Sequence, residues 1–225
     1  RYARRLARAL AELDLPESLT LISHRRATDT MALPGTRIWK AWTPPHHRAE
    51  RWLLGAELAP LRLDLLHTTD FIPPAWGARR RVITVHDLNF LHYPDYLTVD
   101  ARRYYNDQIA WAVREADAIL VDSYATQRDL QTLLGVAPER VVVAHLAAAE
   151  RFRTLPEDEI HPVLSRYGLQ AGYLLFVGVW EPRKNLPGLL EALSLLHGRD
   201  QMLPLVIAGR PGWLPSRSRW RPRSS

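Results

Sequence analysis

Short apolar runs alternate along this chain with longer segments of helical periodicity, and that alternation restricts the possible folds more than any other feature. Leu19–Ser23, Thr36–Trp39, Leu63–His67, Arg81–Val85, Ala118–Val121 and Arg140–Ala144 read as strands, each too short for a helix and bounded by polar residues. Between them, His47–Leu58, Val99–Glu115 and the stretch ending at Leu134 carry helical patterns. Ser123 can cap the last of these, because its hydroxyl can accept from an N–H of the first turn. Gly135 can stop it, because glycine takes the left-handed conformation without a Cβ clash. Arg1–Leu13 reads as a further helix, with Ala3, Leu6, Leu10 and Leu13 on one stripe and Arg1, Arg4, Arg5 and Arg8 on another face. A mitochondrial presequence is also Arg-rich and amphipathic, but Glu12 and Asp14 follow at once and the stripe suits a helix packed on a core. Repeated strand–helix–strand order signals a parallel sheet covered on both faces, so the expected fold class is α/β.

The pattern lapses between His145 and Pro156 and then restarts with a helix around Ile160–Tyr167, a strand at Tyr173–Val177, a helix at Leu186–Leu196 and a strand at Pro204–Ala208. Two domains are therefore expected, one over residues 1–150 and a smaller, incomplete one over 157–213. At about 150 residues per domain, 225 residues accommodate one and a half. Residues 214–225 hold four arginines and no acid, show no periodicity, and read as a disordered or out-of-frame tail.

Composition mainly excludes. With 47% hydrophobic residues the chain is not disordered throughout, and with no cysteine it has no disulfide framework, zinc–thiolate site or thiol nucleophile. No apolar run is long enough to span a bilayer, and no apolar signal core follows the Arg-rich start, so a cytoplasmic protein is expected. The formal charge of +6 is concentrated in the tail, and Lys40 and Lys184 are the only lysines. A nucleic-acid groove would interleave its cations with aromatic or base-reading groups, which the tail does not, so no nucleic-acid partner is expected.

In open parallel sheets, ligands bind beyond the carboxyl ends of the strands. Four stretches occupy that position: Thr68-Thr69-Asp70, His86-Asp87-Leu88-Asn89, Asp122-Ser123 and Gly178 through Asn185. In the last, Gly178 allows close approach to backbone N–H groups, Arg183 and Lys184 bring full charges, and Asn185 can cap the helix that follows. These are the parts of a diphosphate cradle, and equally those of an ordinary strand-to-helix turn with two solvated cations. His86 stands open to three readings: a loop histidine, a substrate contact or general acid–base group, or a metal ligand with Asp87. Further ligands for a metal would have to come from His67, His92 or His46-His47, at unrelated spacings. Trp39, Trp42 and Trp52 with Pro44-Pro45 read as core, or as an apolar face toward a lipid acceptor or membrane. Ser123 reads as a helix cap, since no GxSxG elbow surrounds it.

The segments VITVHDLNFLHYPDYL and DARRYYNDQIAWAVREADAILVDSYATQRDLQTLLGVAPERVVVAHLAAAERF, then YLLFVGVWEPRKNLPGLLEALSLL and LPLVIAGRPGW, in this order, resemble family 4 glycosyltransferases. More narrowly they are similar to the mannosyltransferase-like branch of bacterial polysaccharide assembly. The resemblance runs from Arg1 to about Trp213 and implies a GT-B architecture of two Rossmann-like domains facing across a cleft. It implies metal-independent, retaining transfer of a sugar (mannose is the branch's commonest case) from a nucleotide-diphosphate sugar to a glycan or lipid-linked acceptor. No cofactor is implied, and a peripheral contact at the inner face of the membrane goes with a lipid-linked acceptor. By position, Gly178, Arg183 and Lys184 would meet the donor diphosphate. His86 would be the catalytic-site residue beside the transferred sugar, and Thr68, Thr69, Asp87 and Ser123 would line the acceptor side.

The sequence departs from the family pattern at Val179, where relatives often have Arg, and at His145-Leu146, where relatives often have Asn-Gly or His-Gly. The family's first strand with its glycine loop, and its Glu-x7-Glu segment, have no counterpart in these residues. An incomplete transferase without detectable turnover is therefore expected. The competing expectations are a non-catalytic nucleotide- or glycan-binding remnant and a nucleotide-sugar epimerase of GT-B-like fold.

Overall fold

The computed structural model describes residues 2–13, 15–27, 32–45, 47, 49–97, 99–197 and 203–212. Trp213 and the tail 214–225 lie outside the described residues, as does His46. The chain divides into two compact units, Arg1–Ala147 and Ala148–Ser225.

The first unit runs α1 (Tyr2–Glu12), β1 (Leu19–His24), β2 (Thr36–Ala41), α2 (Glu50–Leu58), β3 (Leu63–Thr68), β4 (Ala78–Val85), α3 (Asn89–His92), α4 (Val99–Glu115), β5 (Ala118–Val121), α5 (Tyr124–Leu134) and β6 (Val141–Val143). All pairings are parallel. β3, β4, β5 and β6 form one sheet in that order, and β1 pairs with β2 in a second. The core lies on the four-stranded sheet. Ile83 and Val85 of β4 and Ile119 and Val121 of β5 are fully buried, at two-residue spacing on each strand. Ile109, Ala112 and Val113, the i, i+3, i+4 stripe of α4, pack into the same cluster with Ala116 just beyond the helix. Each buried Ile or Val side chain contributes about 1.5–3 kcal/mol relative to exposure.

Local chemistry sets the element ends. The Ser123 hydroxyl accepts from the Thr126 N–H at 3.1 Å, and Gly135 closes α5 in the left-handed conformation with φ 63°. Asp117, in the turn between α4 and β5, accepts from the Arg80 guanidinium at 2.6 Å and the Arg81 N–H at 2.8 Å. Those bonds hold its carboxyl below the usual carboxylate range. Glu57 of α2 accepts from the N–H groups of Trp42 and Thr43 and from the Thr43 hydroxyl. Burial opposes its ionisation, but the three bonds outweigh burial and lower its pKa. Arg140, just before β6, donates to the carbonyls of Val113 and Ala116 and so closes the C-terminus of α4.

The second unit holds α6 (Glu157–Arg166), β7 (Leu174–Val177), α7 (Leu186–His197) and β8 (Leu205–Ala208), with β7 parallel to β8. Its core is thin: Leu186 is the one buried hydrophobic among its described residues, and Val177 is 68% exposed.

The structure departs from the sequence reading in five places. β4 begins at Ala78, so the charged Arg79 and Arg80 belong to a strand. α2 begins at Glu50 rather than His47, and α6 at Glu157, where three acidic residues fill the first turn. The α1 stripe is only half covered, with Leu6 and Leu10 partly buried but Leu13 57% exposed. Trp42 and Trp52 are exposed, not core, and each carries an arginine over its ring, Arg25 at 3.5 Å and Arg51 at 3.9 Å. Arg140→Met keeps the aliphatic stem and removes its bonds to the Val113, Arg114 and Ala116 carbonyls. Urea unfolding should show a loss of about 1.5–3 kcal/mol, the range for a charged hydrogen bond; an unchanged midpoint would show that the α4 terminus does not depend on it.

Candidate functional site

Parallel pairing brings the strand exits of the first unit to one edge. Val85 stands opposite Val121, and Val121 opposite Val143, so His86, Asp122 and the Ala144-His145 pair leave neighbouring strands side by side. His86 Nδ1 lies 2.7 Å from Asp122 Oδ2, and the Tyr2 ring meets the imidazole edge-on with centroids 4.8 Å apart. The Thr126 hydroxyl donates to the His86 carbonyl at 3.2 Å, fixing the loop to the first turn of α5. His145 Nδ1 lies 3.1 Å from the Asp122 carbonyl oxygen and its ring packs on Tyr124.

Beneath this group, the buried Thr84 hydroxyl is shared between His67 Nε2 at 2.9 Å and the Tyr2 hydroxyl at 3.4 Å. Burial pushes the His67 imidazole below its ordinary 6.5.

Other residues on this edge serve the backbone. Thr68 ends β3 and its hydroxyl reaches the Val82 carbonyl at 3.5 Å, while Thr69 follows it partly buried. Asp87 accepts from the Asn89 N–H at 3.0 Å, opening α3, and Ser123 caps α5. His92 pairs with Asp129, its Nε2 3.0 Å from Oδ2. Among the described residues no group of three His, Asp or Glu side chains is placed to hold a metal ion.

In the second unit, the end of β7 is built around two glycines. Gly178 has φ 153°, and its N–H donates to the Ala208 carbonyl at 3.0 Å. A Cβ on Gly209 would lie 1.9 Å from the Gly178 carbonyl oxygen, so only glycine fits beside it. The Lys184 stem passes near Gly178, its Cε 4.0 Å from where a Cβ would stand. Arg183 instead bonds Glu181 at 2.8 Å, on a 3₁₀ turn over Pro182–Lys184. Asn185 does not take the extended conformation of a helix cap: it is left-handed, φ 48°, with its side chain over Gly188.

The model of Glycosyltransferase Family 4 matches residues 1–147, the whole of the first unit. This chain belongs to glycosyltransferase family 4. It is similar to the O-antigen chain mannosyltransferase B of Escherichia coli, 31% identical over 170 residues, which are 75% of this chain and 43% of that protein. It is also similar to the serotype-specific mannosyltransferase WbdA of Escherichia coli, 30% identical over 134 residues, 57% of this chain and 16% of that protein. The chain thus spans less than half the length of the curated relatives it matches.

The parallel α/β architecture is that of a Rossmann-like GT-B glycosyltransferase domain. Two residues, one in each unit, escape a linear reading. Asp122 was visible only as the end of a strand, because its pairing with His86 depends on which strands are neighbours. Gly209 sits 31 residues beyond Gly178, and only the β7–β8 register joins them. Two outcomes follow for this family 4 chain. The unfolded state binds a proton on His67 near pH 6.5 that the folded state resists, so stability is full above that pH and falls below it. In urea titrations at about pH 7.5 and 5.5, His67→Gln should lose less stability on acidification than the parent; equal losses would remove His67 from the account. Gly209→Ala should lower the melting temperature and perturb the Gly178 amide signal, whereas an unperturbed amide would show that the crowding is relieved without cost.

Proposed function

We propose that this chain serves sugar transfer in polysaccharide assembly, from a nucleotide-diphosphate sugar to a glycan or lipid-linked acceptor, with mannose as the sugar. The family match and the two mannosyltransferase relatives support the class of reaction. The observation that carries the donor side is Lys184 standing near Gly178 at the end of β7. When a nucleoside diphosphate departs, negative charge grows on its oxygens, and an ammonium at this strand end stabilises that charge. Arg183 adds a second cation, partly neutralised by Glu181. On the first unit, His86 offers a polar contact to a sugar. Thr68 and Thr69 stand at the same edge of the sheet, and Asp87 and Ser123 shape the loops around it.

Transfer in this reading needs no metal or cofactor, leaning on cations and backbone dipoles. No helix among the described residues is long and apolar enough to cross a membrane. A lipid-linked acceptor would meet the protein at the inner membrane face, where the exposed Trp42 and Trp52 with Arg25 and Arg51 offer aromatic and cationic contact.

Binding of guanosine diphosphate, measured by calorimetry or amide shifts, tests the donor reading. Lys184→Ala should weaken it about tenfold or more, the loss of one charged contact of roughly 1.4 kcal/mol. Arg183→Ala should have a smaller effect. Equal affinity in parent and Lys184→Ala would overturn the assignment of the diphosphate to this loop.

A further inference from the structure

We propose that Asp122 is a positioning residue that fixes the tautomer of His86, placing the proton on Nδ1 and leaving Nε2 to accept a hydrogen bond from a hydroxyl of the bound ligand. The use made of Nε2 rests on the sugar-transfer reading above; the control of the tautomer does not.

A carboxylate has lone pairs and no proton, so the 2.7 Å approach of Asp122 Oδ2 to His86 Nδ1 is a hydrogen bond only if Nδ1 carries the hydrogen. This holds whether the ring is neutral or charged. In the neutral ring the second nitrogen is then a pure acceptor, the state suited to an alcohol donor. The rest of the surroundings keep the ring from turning over. The His86 carbonyl is tied to Thr126, Tyr2 stands edge-on against the ring, and Tyr2 reaches through its own hydroxyl toward Thr84. Nε2 has no partner among the described residues, while the side chain keeps 39% of its surface open.

Asp122 is itself anchored. It follows the buried Val121, its side chain is 19% exposed, and its carbonyl oxygen is engaged by His145. A side chain so held acts through His86 rather than on a ligand directly. The arrangement has the logic of a histidine oriented by a carboxylate on its far nitrogen, here with an acceptor presented rather than a proton to give away.

Nitrogen-15 NMR of the imidazole side chains in the ligand-free chain tests this at about pH 8, with the His86 signals identified by their loss in His86→Gln. The expected result is a protonated Nδ1 and an unprotonated Nε2. In Asp122→Ala the pattern should reverse toward the Nε2–H form that free imidazole side chains favour. Asp122→Asn keeps the shape should the alanine variant fail to fold, and its neutral amide should let the Nε2–H form appear. A proton on Nε2 in the parent, or one that stays on Nδ1 in every folded variant, overturns the proposal. Saturation-transfer measurements with methyl α-mannoside separate the two claims. If the tautomer follows Asp122 but His86→Gln leaves the sugar signal intact, the sugar reading of this edge falls and the positioning role stands.

Discussion

Parallel pairing in register is the constraint on which the first unit depends. Strands that run the same way cannot be joined by a tight hairpin, so each connection must cross a face of the sheet before the next strand starts. In β3 through β6 this obliges α4 and α5 to pack on the sheet, and it sends every strand exit to the same edge. His67, Thr84, His86, Asp122 and His145 come from four strands and the residues just beyond them, and Tyr2 of α1 joins them into one connected group. Its outer members, His86, Asp122 and His145, are polar where the ladder ends. A few residues back along the same strands, Ile83, Ile119 and Val121 are wholly buried.

Much of this fold is legible because the signals are local. Val99–Glu115 carries its apolar stripe, Ala118–Val121 is short and β-branched, and Ser123 and Gly135 are the residue types that open and close a helix. Where tertiary forces decide, the linear pattern misleads. Arg79 and Arg80 do not resemble a strand, yet pairing with β3 and the carboxylates of Asp64 and Asp117 hold them in one. Trp42 and Trp52 have the size of core residues, but arginines covering their rings let them stand at the surface.

The candidate site divides along the same line. His86, Gly178 and Lys184 are recognisable because a strand end, a glycine and a cation near a helix start are sequence patterns. Asp122 and Gly209 are defined by neighbours in space. The first needs β4 beside β5, and the second needs β7 beside β8. Arg183 shows the converse: its type suggested a ligand cation, and Glu181, two residues away, takes one of its donors.

The thin core of the second unit has a consequence for how its loop can work. The end of strand β4, residues 83–85, is fully buried, so its amides reach solvent only through large openings of the first unit. Leu175 and Val177 of β7 are more than half exposed, so β7 is released by much smaller excursions. A ligand that engages the backbone between Gly178 and Lys184 would therefore meet a segment whose order is itself in play. Part of the binding free energy would appear as protection of β7 and β8 from exchange, and occupancy and ordering of the second unit would be a single linked equilibrium.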